Sequence, residues 1–257
     1  LFRSDFRWDV TWMGSTVSNK VLKLTQESPE ILSGVRIIKE GMPLNTFYMA
    51  KSAGVDPATG AQLYWSYEKD DEGNMIAGTE YVTSDYSDAS NHKYYLGSRI
   101  PDLYGSLSTN FSWKDLDLSI LTTYSIGGKI YESLYNSSMN LTYLSSTWHR
   151  HALRRWQKPG DITDVPRIEI NGFGYATDRY LVNASYFAIK NITLGYSLPR
   201  NLVMRAGLQN VRLFTSVDNL ALWSHLDGMD PQYSFGGSTN YDYVPNRTWT
   251  IGLEVRF

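Results

Sequence analysis

Thr248-Trp249-Thr250-Ile251-Gly252-Leu253-Glu254-Val255-Arg256-Phe257 places Trp249, Ile251, Leu253, Val255 and Phe257 on one side of an extended chain and Thr248, Thr250, Gly252, Glu254 and Arg256 on the other. Successive side chains of a strand point to opposite faces, so this segment reads as a strand with one apolar and one polar face. The pattern recurs upstream. Phe6, Trp8, Val10 and Trp12 oppose Asp5, Arg7, Asp9 and Thr11. Leu103, Leu107, Phe111 and Trp113 oppose a small, hydroxyl-rich set running from Tyr104 to Ser112. After a tight turn at Lys114 and Asp115, Leu116, Leu118, Ile120, Tyr124 and Ile126 alternate with Asp115, Asp117, Ser119, Thr123 and Ser125, which predicts a β-hairpin.

Two further long strands are expected. One runs from Tyr186 through Ala188, Ile192 and Leu194 to Tyr196, with Lys190 interrupting its apolar face; the other carries Val211, Leu213, Thr215, Val217 and Ala221 against Arg212, Ser216 and Asp218. Shorter strand candidates at Asn45 to Ala50 and Gln62 to Tyr67 bring the total to about eight, joined by the turn Asp56-Pro57-Ala58-Thr59-Gly60. The connections are unequal. Short turns at Lys114 and around Pro199 to Asn201 alternate with polar stretches at Asp70 to Ser98, Lys129 to Arg179 and His225 to Asn246, the asymmetry of an outer-membrane barrel. Within Tyr131 to Trp156, Leu134, Leu141, Leu144 and Trp148 recur near helical spacing and predict a helix packed at the rim.

Composition removes several alternatives. Twenty-four basic and 26 acidic residues are interspersed, so the clustered cations of a nucleic-acid binder are missing. No cysteine is present, which excludes a disulfide framework and thiol catalysis. No apolar run approaches the roughly 20 residues of a spanning helix. Aromatic residues reach 14%, including 19 Tyr and 8 Trp, an excess suited to membrane interfaces or to surfaces that stack on sugars. Leu1 begins almost inside a strand-like segment without a leader, so a fragment or processed product is expected.

Arg155-Trp156-Gln157-Lys158-Pro159-Gly160-Asp161, with Val165-Pro166-Arg167, resembles a block of the SusC/RagA family of TonB-linked outer-membrane proteins. Ser185 to Pro199, preceded by Asp178-Arg179-Tyr180-Leu181, is similar to that family's "S-Y-L-R-L-K-N-L-T-L-G-Y-T-L-P" segment. Val211 to Leu220 leading to Gly228-Met229-Asp230-Pro231 resembles its "R-V-Y-V-S-G-Q-N-L" strand and "G-Y-D-P" loop, and Pro245 to Phe257 resembles its closing strand. Gly41-Met42-Pro43 and Gly54 to Gly60 extend the match toward the start.

This resemblance implies an all-β fold: the C-terminal part of a large antiparallel transmembrane β-barrel, 22-stranded and plugged in the family, with this chain supplying roughly the last third of the wall. It implies that the whole chain, residues 1 to 257, is barrel, and that the plug domain and TonB-contacting segment are absent. It further implies integral residence in the outer membrane of a Gram-negative cell and import of oligosaccharides or oligopeptides without enzymatic activity. The partners implied are a SusD-like surface lipoprotein acting as a lid, the remaining barrel and plug, the TonB complex through that plug, the barrel assembly machinery and membrane lipid, with no nucleic acid.

Site residues follow partly from chemistry and partly from the resemblance. Trp148, Tyr233, Phe235, Tyr241 and Tyr243 lie in long loops, where their rings either stack on sugars, contact a lid or close the rim against water. Arg154 is a candidate hydrogen-bond donor to cargo, and Arg155 a loop-packing residue. Trp249, Ile251, Leu253, Val255 and Phe257 resemble a C-terminal assembly signal. His149-Arg150-His151 offers two imidazoles but no third ligand at the usual spacing, and Asp70-Asp71-Glu72-Gly73-Asn74 lacks the alternating ligands of a calcium loop and reads as a hairpin tip. No metal, cofactor or catalytic group is therefore expected. Two other readings remain open here: a passive small porin made by this chain alone, and a soluble carbohydrate-binding β-sandwich.

Overall fold

The computed structural model of the chain describes residues 5–140, 147–169, 175–226, 229–234, 236–241 and 243–257. Its strands are β1 (Phe6–Ser15), β2 (Glu30–Ser33), β3 (Arg36–Lys39), β4 (Thr46–Met49), β5 (Lys51–Val55), β6 (Gln62–Ser66), β7 (Tyr81–Thr83), β8 (Tyr94–Ser98), β9 (Leu103–Trp113), β10 (Leu116–Ile126), β11 (Lys129–Tyr131), β12 (Leu181–Asn183), β13 (Tyr186–Ser197), β14 (Asn210–Ser224) and β15 (Thr248–Arg256). Short helices α1 (Tyr86–Asn91), α2 (Ser133–Ser138) and α3 (Arg200–Arg205) and two 3-10 turns, Arg150–Arg154 and Asp178–Tyr180, complete the described elements.

Six long strands form one antiparallel sheet in the order β1-β9-β10-β13-β14-β15. Pairing runs straight across it. Trp8, Phe111, Leu118, Leu194, Thr215 and Ile251 make one lateral row, and Val10, Thr109, Ile120, Ile192, Val217 and Trp249 the next. These rows define the outward face. Phe6, Trp113 and Tyr196 border it at the end of the short turns, while Trp12, Tyr124, Phe187 and Trp223 border it at the other end. From Phe6 to Gly14 the strand rises about 27 Å at about 3.4 Å per residue. A tilt of about 40° reduces this to about 21 Å of bilayer, close to the apolar band between aromatic girdles in outer-membrane barrels.

Hydroxyls on this face are bonded inside the sheet. Thr109 Oγ1 accepts the Trp8 indole N–H at 2.7 Å, Thr122 donates to the Leu107 carbonyl at 3.0 Å, and Thr215 to that of Thr250 at 3.2 Å. Tyr124 lies across Gly105 and donates to the Met13 carbonyl at 3.0 Å. Hydrocarbon offers no hydrogen bonds, so a lipid-facing polar group must find a partner within the protein. The opposite face carries Arg7, Asp9, Asp117, Asp218 and Glu254, charges that require water.

The expected antiparallel wall is present, but its strands are distributed differently. Six strands are long enough to cross, and the segments Asn45 to Ala50 and Gln62 to Tyr67 contribute β4 and β6, which have four and five residues and pair in separate small sheets, β2-β3-β4-β8 and β5-β6-β7. A strand of that length is half of what a tilted crossing needs. Residues 16–102 therefore form one structured connection rather than adjoining barrel strands. Along β13 the apolar side also changes. Lys190 is a bulge between Ile189 and Asn191, so Phe187 and Ile189 face outward above it while Tyr186 and Ala188 turn inward. Among the described residues of the predicted helical stretch, α2 and the Arg150–Arg154 turn are helical; Leu141 and Leu144 lie outside the described residues.

The turn at Lys114 and Asp115 is a two-residue hairpin with Lys114 at φ 54°, and residues 198–209 fold over α3 at the same end. Connections 16–102, 127–185 and 225–247 all emerge at the opposite end, and their described residues pack into one cap. Phe47 and Met49 from the first share a core with Tyr131, Met139, Ala152, Val165 and Tyr180 from the second. Burying such a side chain contributes about 1.5–3 kcal/mol. The third is laced to them by Tyr131 N to Gly237 O at 2.8 Å and Thr239 N to Tyr131 O at 2.9 Å.

Candidate functional site

The inward face of the long sheet and the cap above it form its polar side. Along the wall, Asp117 on β10 receives a bidentate contact from Arg212 on β14, with Nε at 3.0 Å and Nη2 at 2.5 Å. This fork spans β13 directly over Gly195, where an added Cβ would lie 2.4 Å from Arg212 Nη2. A larger residue there would have to displace the ion pair, which occupies the space above it. Further up, Asn191 donates to Asp218 at 2.7 Å and Thr193 to Asn191 at 2.9 Å, and Ser119 donates to Asn110 at 2.7 Å. The wall is thus polar, hydroxyl-rich and internally hydrogen-bonded.

At the cap end the last inward row is Ser15, Tyr104, Ser125, Tyr186 and Ser224. A cavity of about 430 Å³ opens above it, walled by Val17, Leu44, Ile100 and Pro101 from the first connection and touched by Gln232 from the third. Arg99 lies at its edge, where its Nη2 donates to the Pro231 carbonyl at 2.7 Å and its Nε to that of Ser234 at 3.2 Å. Burial holds its guanidinium below the usual arginine value. A second, more polar cleft of about 570 Å³ lies in the cap between Gln62, Asp85, Arg167 and Glu169, beside the stacked rings of Tyr86 and Tyr175 at 3.8 Å.

Two blocks distant in sequence meet in the cap. Trp156 donates from Nε1 to the Pro57 carbonyl at 2.9 Å, Gly160 N donates to the same carbonyl at 2.8 Å, and Arg167 donates from N to Gly60 O at 2.9 Å and from Nη1 to Thr59 O at 2.8 Å. The Arg155 to Asp161 block and the Asp56 to Gly60 turn thus form a clasp. Beside it Asp178 accepts from Ser52 N at 2.7 Å, and burial pushes its carboxyl above the ordinary aspartate value.

The residues singled out in the sequence separate. Trp148 packs half-buried against the shared cap core. Arg154 is exposed and pairs with Asp164 at 3.3 Å. Tyr233, Tyr241 and Tyr243 are 52%, 91% and 89% exposed in the third connection, so their rings are open to contact. Phe235 and Gly228 lie outside the described residues. On β15, Trp249, Ile251 and Leu253 are exposed on the outward face, Val255 is half-buried beside Val211, and Phe257 follows the last β15 residue. His149 caps the Arg150–Arg154 turn by accepting from His151 N at 3.2 Å, and His151 Nδ1 pairs with the Tyr135 hydroxyl at 2.9 Å. Asp70 accepts from Glu72 N and Asn74 N, a hairpin-tip geometry. Among the described residues no group of three His, Cys, Asp or Glu is placed to hold a metal.

The mouth cavity was not foreseen. Tyr104 and Tyr186 belonged to strands already recognised, but Leu44, Arg99 and Ile100 carry no local signal and converge only when the first connection folds back over the wall.

A single antiparallel sheet with an aromatic-bordered apolar face, a polar opposite face and long connections gathered at one end defines a section of an outer-membrane β-barrel wall. No protein-family model matches the chain. Over 98% of its length it is similar to TonB-dependent receptor P3 of Formosa agariphila, at 27% identity, and to TonB-dependent receptor SusC of Bacteroides thetaiotaomicron, at 24%. Among solved structures, the RagAB peptide importer in its 'closed-closed' state matches the whole chain with a TM-score of 0.86 at 24% identity, and a second structure, the RagAB peptide transporter, with 0.84 at 25%. The likeness to SusC/RagA-type TonB-linked proteins read from the sequence blocks therefore holds across the chain, and its fold is that of the barrel portion of RagAB. The chain spans 25 to 27% of those two receptors and 28% of each matched RagAB chain, so it corresponds to about a quarter of such a protein.

Proposed function

We propose that the chain is part of the wall of an outer-membrane importer of nutrient oligomers, driven through TonB and working with a SusD-like surface lipoprotein. The carrying observation is the segregation of the long sheet: the outward threonine hydroxyls are bonded within the protein, the charged pair of Arg212 and Asp117 lies on the opposite face, and the long connections leave from one end. Whole-chain similarity to TonB-dependent receptors and to the RagAB importer supports the same reading.

Cargo is an oligosaccharide or oligopeptide, and the chain acts by transport rather than by bond chemistry. Its plug and TonB contact reside in the rest of the transporter. The lid is proposed to meet the connections 127–185 and 225–247, where Tyr233, Tyr241 and Tyr243 stand clear of the cap. The outward row of β15 ending at Phe257 is proposed to be read by the barrel assembly machinery.

A passive porin made by these strands alone is disfavoured, because β1 and β15 each pair on one side only among the described residues, leaving two open edges. A soluble sandwich is disfavoured because the apolar face, with Trp8, Trp12, Trp249 and Ile251 58 to 81% exposed, meets no second sheet among the described residues. Deleting the full gene and following uptake of defined oligosaccharide and oligopeptide mixtures tests the proposal. Loss of uptake of one class, reproduced by uncoupling TonB, is expected; uptake indifferent to both manipulations contradicts it.

A further inference from the structure

Resting on the reading that the third connection meets a surface lipoprotein, we propose that Arg99 is the positioning residue for that contact, with Arg36 as a second hold. The two guanidinium groups fix residues 231–239 over the first connection and so set how Tyr233 and Tyr241 are presented. The geometry of Arg99 carries the argument. Its Nη2 donates to the Pro231 carbonyl at 2.7 Å and its Nε to the Ser234 carbonyl at 3.2 Å, so one planar fork takes the two carbonyls that bracket Gln232 and Tyr233. Gln232 lines the mouth cavity, while Tyr233 is 52% exposed. The clamp therefore grips a stretch whose adjacent side chains reach the lumen mouth and the outer surface.

Arg36 repeats the arrangement a little further along. Its Nη1 donates to the Gly236 carbonyl and to Asn45 Oδ1, the latter at 2.9 Å. Burial follows these anchors: Pro231, Ser234, Gly237 and Thr239 are buried, whereas Tyr233, Gly236, Asn240 and Tyr241 are exposed. Gly237, at φ +86°, fits so closely that an added Cβ would lie 3.1 Å from the Phe47 ring and 3.3 Å from Arg99 Cβ. The backbone is pinned and the rings are left free.

Both holds come from the first connection, and Arg99 is tied into the wall. Arg99 N donates to Asn45 O at 3.3 Å, and three residues on Asp102 N donates to Ile126 O at 2.9 Å, where the β9–β10 ladder begins. Among the described residues no carboxylate pairs with either arginine, so carbonyl oxygens are what replace the water lost by the half-buried Arg99 guanidinium. A carbonyl that moved away would leave that charge uncompensated, which makes the hold strong as well as directional.

The test uses the full-length transporter and the lipoprotein that purifies with it. Lipoprotein recovery, the heat-resistant barrel fraction and chymotrypsin cleavage at Tyr233 are measured for the natural sequence, Arg99→Met, Arg99→Lys, the pair Tyr233→Ala with Tyr241→Ala, and Arg99→Met combined with that pair. Arg99→Met is expected to lower recovery about fivefold or more and to speed cleavage at Tyr233 while the barrel fraction stays unchanged. The combined variant should lose no more than the worse of its parents, because the arginine acts through the tyrosines. Arg99→Lys restores the charge without the fork and should regain less than half of the loss. If Arg99→Met depletes the barrel itself, Arg36→Met, whose hold lies at an exposed edge, takes its place in the same cycle. Additive losses, or full recovery with Arg99→Lys, overturn the inference and leave the lipoprotein contact standing. Full recovery with the tyrosine pair overturns both.

Discussion

The Trp156 indole lies flat on Gly60, so close that a Cβ on Gly60 would fall 2.4 Å from its Cδ2 atom, while its N–H holds the Pro57 carbonyl at 2.9 Å. Gly60 is at φ +74°, a conformation that a side chain strains by about 1–3 kcal/mol even without the ring above it. Two connections are thereby locked across nearly a hundred residues of sequence. Gly60→Ala and Trp156→Ala are each expected to cost the cap about 2 kcal/mol or more and to expose residues 56–60 and 155–167 to protease. The heat-resistant barrel should be unaffected, because the clasp touches none of the six long strands. Protection equal to that of the natural protein would remove the clasp from the account.

Thr109 gives the Trp8 N–H its partner on the lipid side. Thr109→Val keeps the shape and removes the acceptor, leaving that N–H without a bond in hydrocarbon. A loss of about 1 kcal/mol is expected in reversible unfolding from lipid bilayers, and the double variant with Trp8→Phe should recover most of it. If Thr109→Val is neutral, this face is wetter than described.

Asp178 is held above its ordinary pKa by burial, against the opposing pull of the Ser52 N–H and of Lys51 and Lys129. A carboxyl raised in the folded state adds stability that is complete below its unfolded value near 3.8 and disappears as pH rises through the folded value. Cap stability, followed by protease resistance, should therefore increase as pH falls through that window. Asp178→Asn keeps an oxygen for Ser52 and should flatten the dependence while matching the natural protein at low pH. An identical pH profile in the variant would contradict the assignment.

The wall was legible because period-two alternation is a local property: β1, β9, β10, β14 and β15 could each be drawn from a dozen residues. β13 resisted in its upper half because one bulge residue, Lys190, reverses every face beyond it. In the cap the strand segments Asn45 to Ala50 and Gln62 to Tyr67 and the turn between them were legible, but their place outside the wall was not. The cap's other short strands carry too few residues to show a period, and its core joins Phe47 to Val165, which no window of sequence contains. Trp148 carried two readings, a member of an apolar packing stripe and an open loop ring, and only the fold decides for the first, whereas Tyr241 is 91% exposed.

That difference predicts opposite phenotypes. Tyr241→Ala and Tyr243→Ala together should leave the barrel folded and reduce recovery of the proposed surface lipoprotein with it, by the one or more kcal/mol expected of exposed aromatic anchors, roughly fivefold or more. Trp148→Ala should instead loosen the cap. Full recovery of the lipoprotein with the double variant would move the lid contact elsewhere on the rim.

The central claim is that one face of the long sheet meets lipid and the other meets the lumen. Ile120 and Ser119 are neighbours on β10 with opposite directions, Ile120 lying in the middle outward row between Thr109 and Ile192, and Ser119 facing Asn110 and Thr193. Ile120→Arg and Ser119→Arg are compared by the fraction of full-length protein that is folded and heat-resistant in the outer membrane. An arginine at mid-bilayer costs about 2–4 kcal/mol, so Ile120→Arg should deplete the folded form sharply while Ser119→Arg leaves it near the natural level. Equal depletion by both, or the reverse order, would contradict the barrel-wall account.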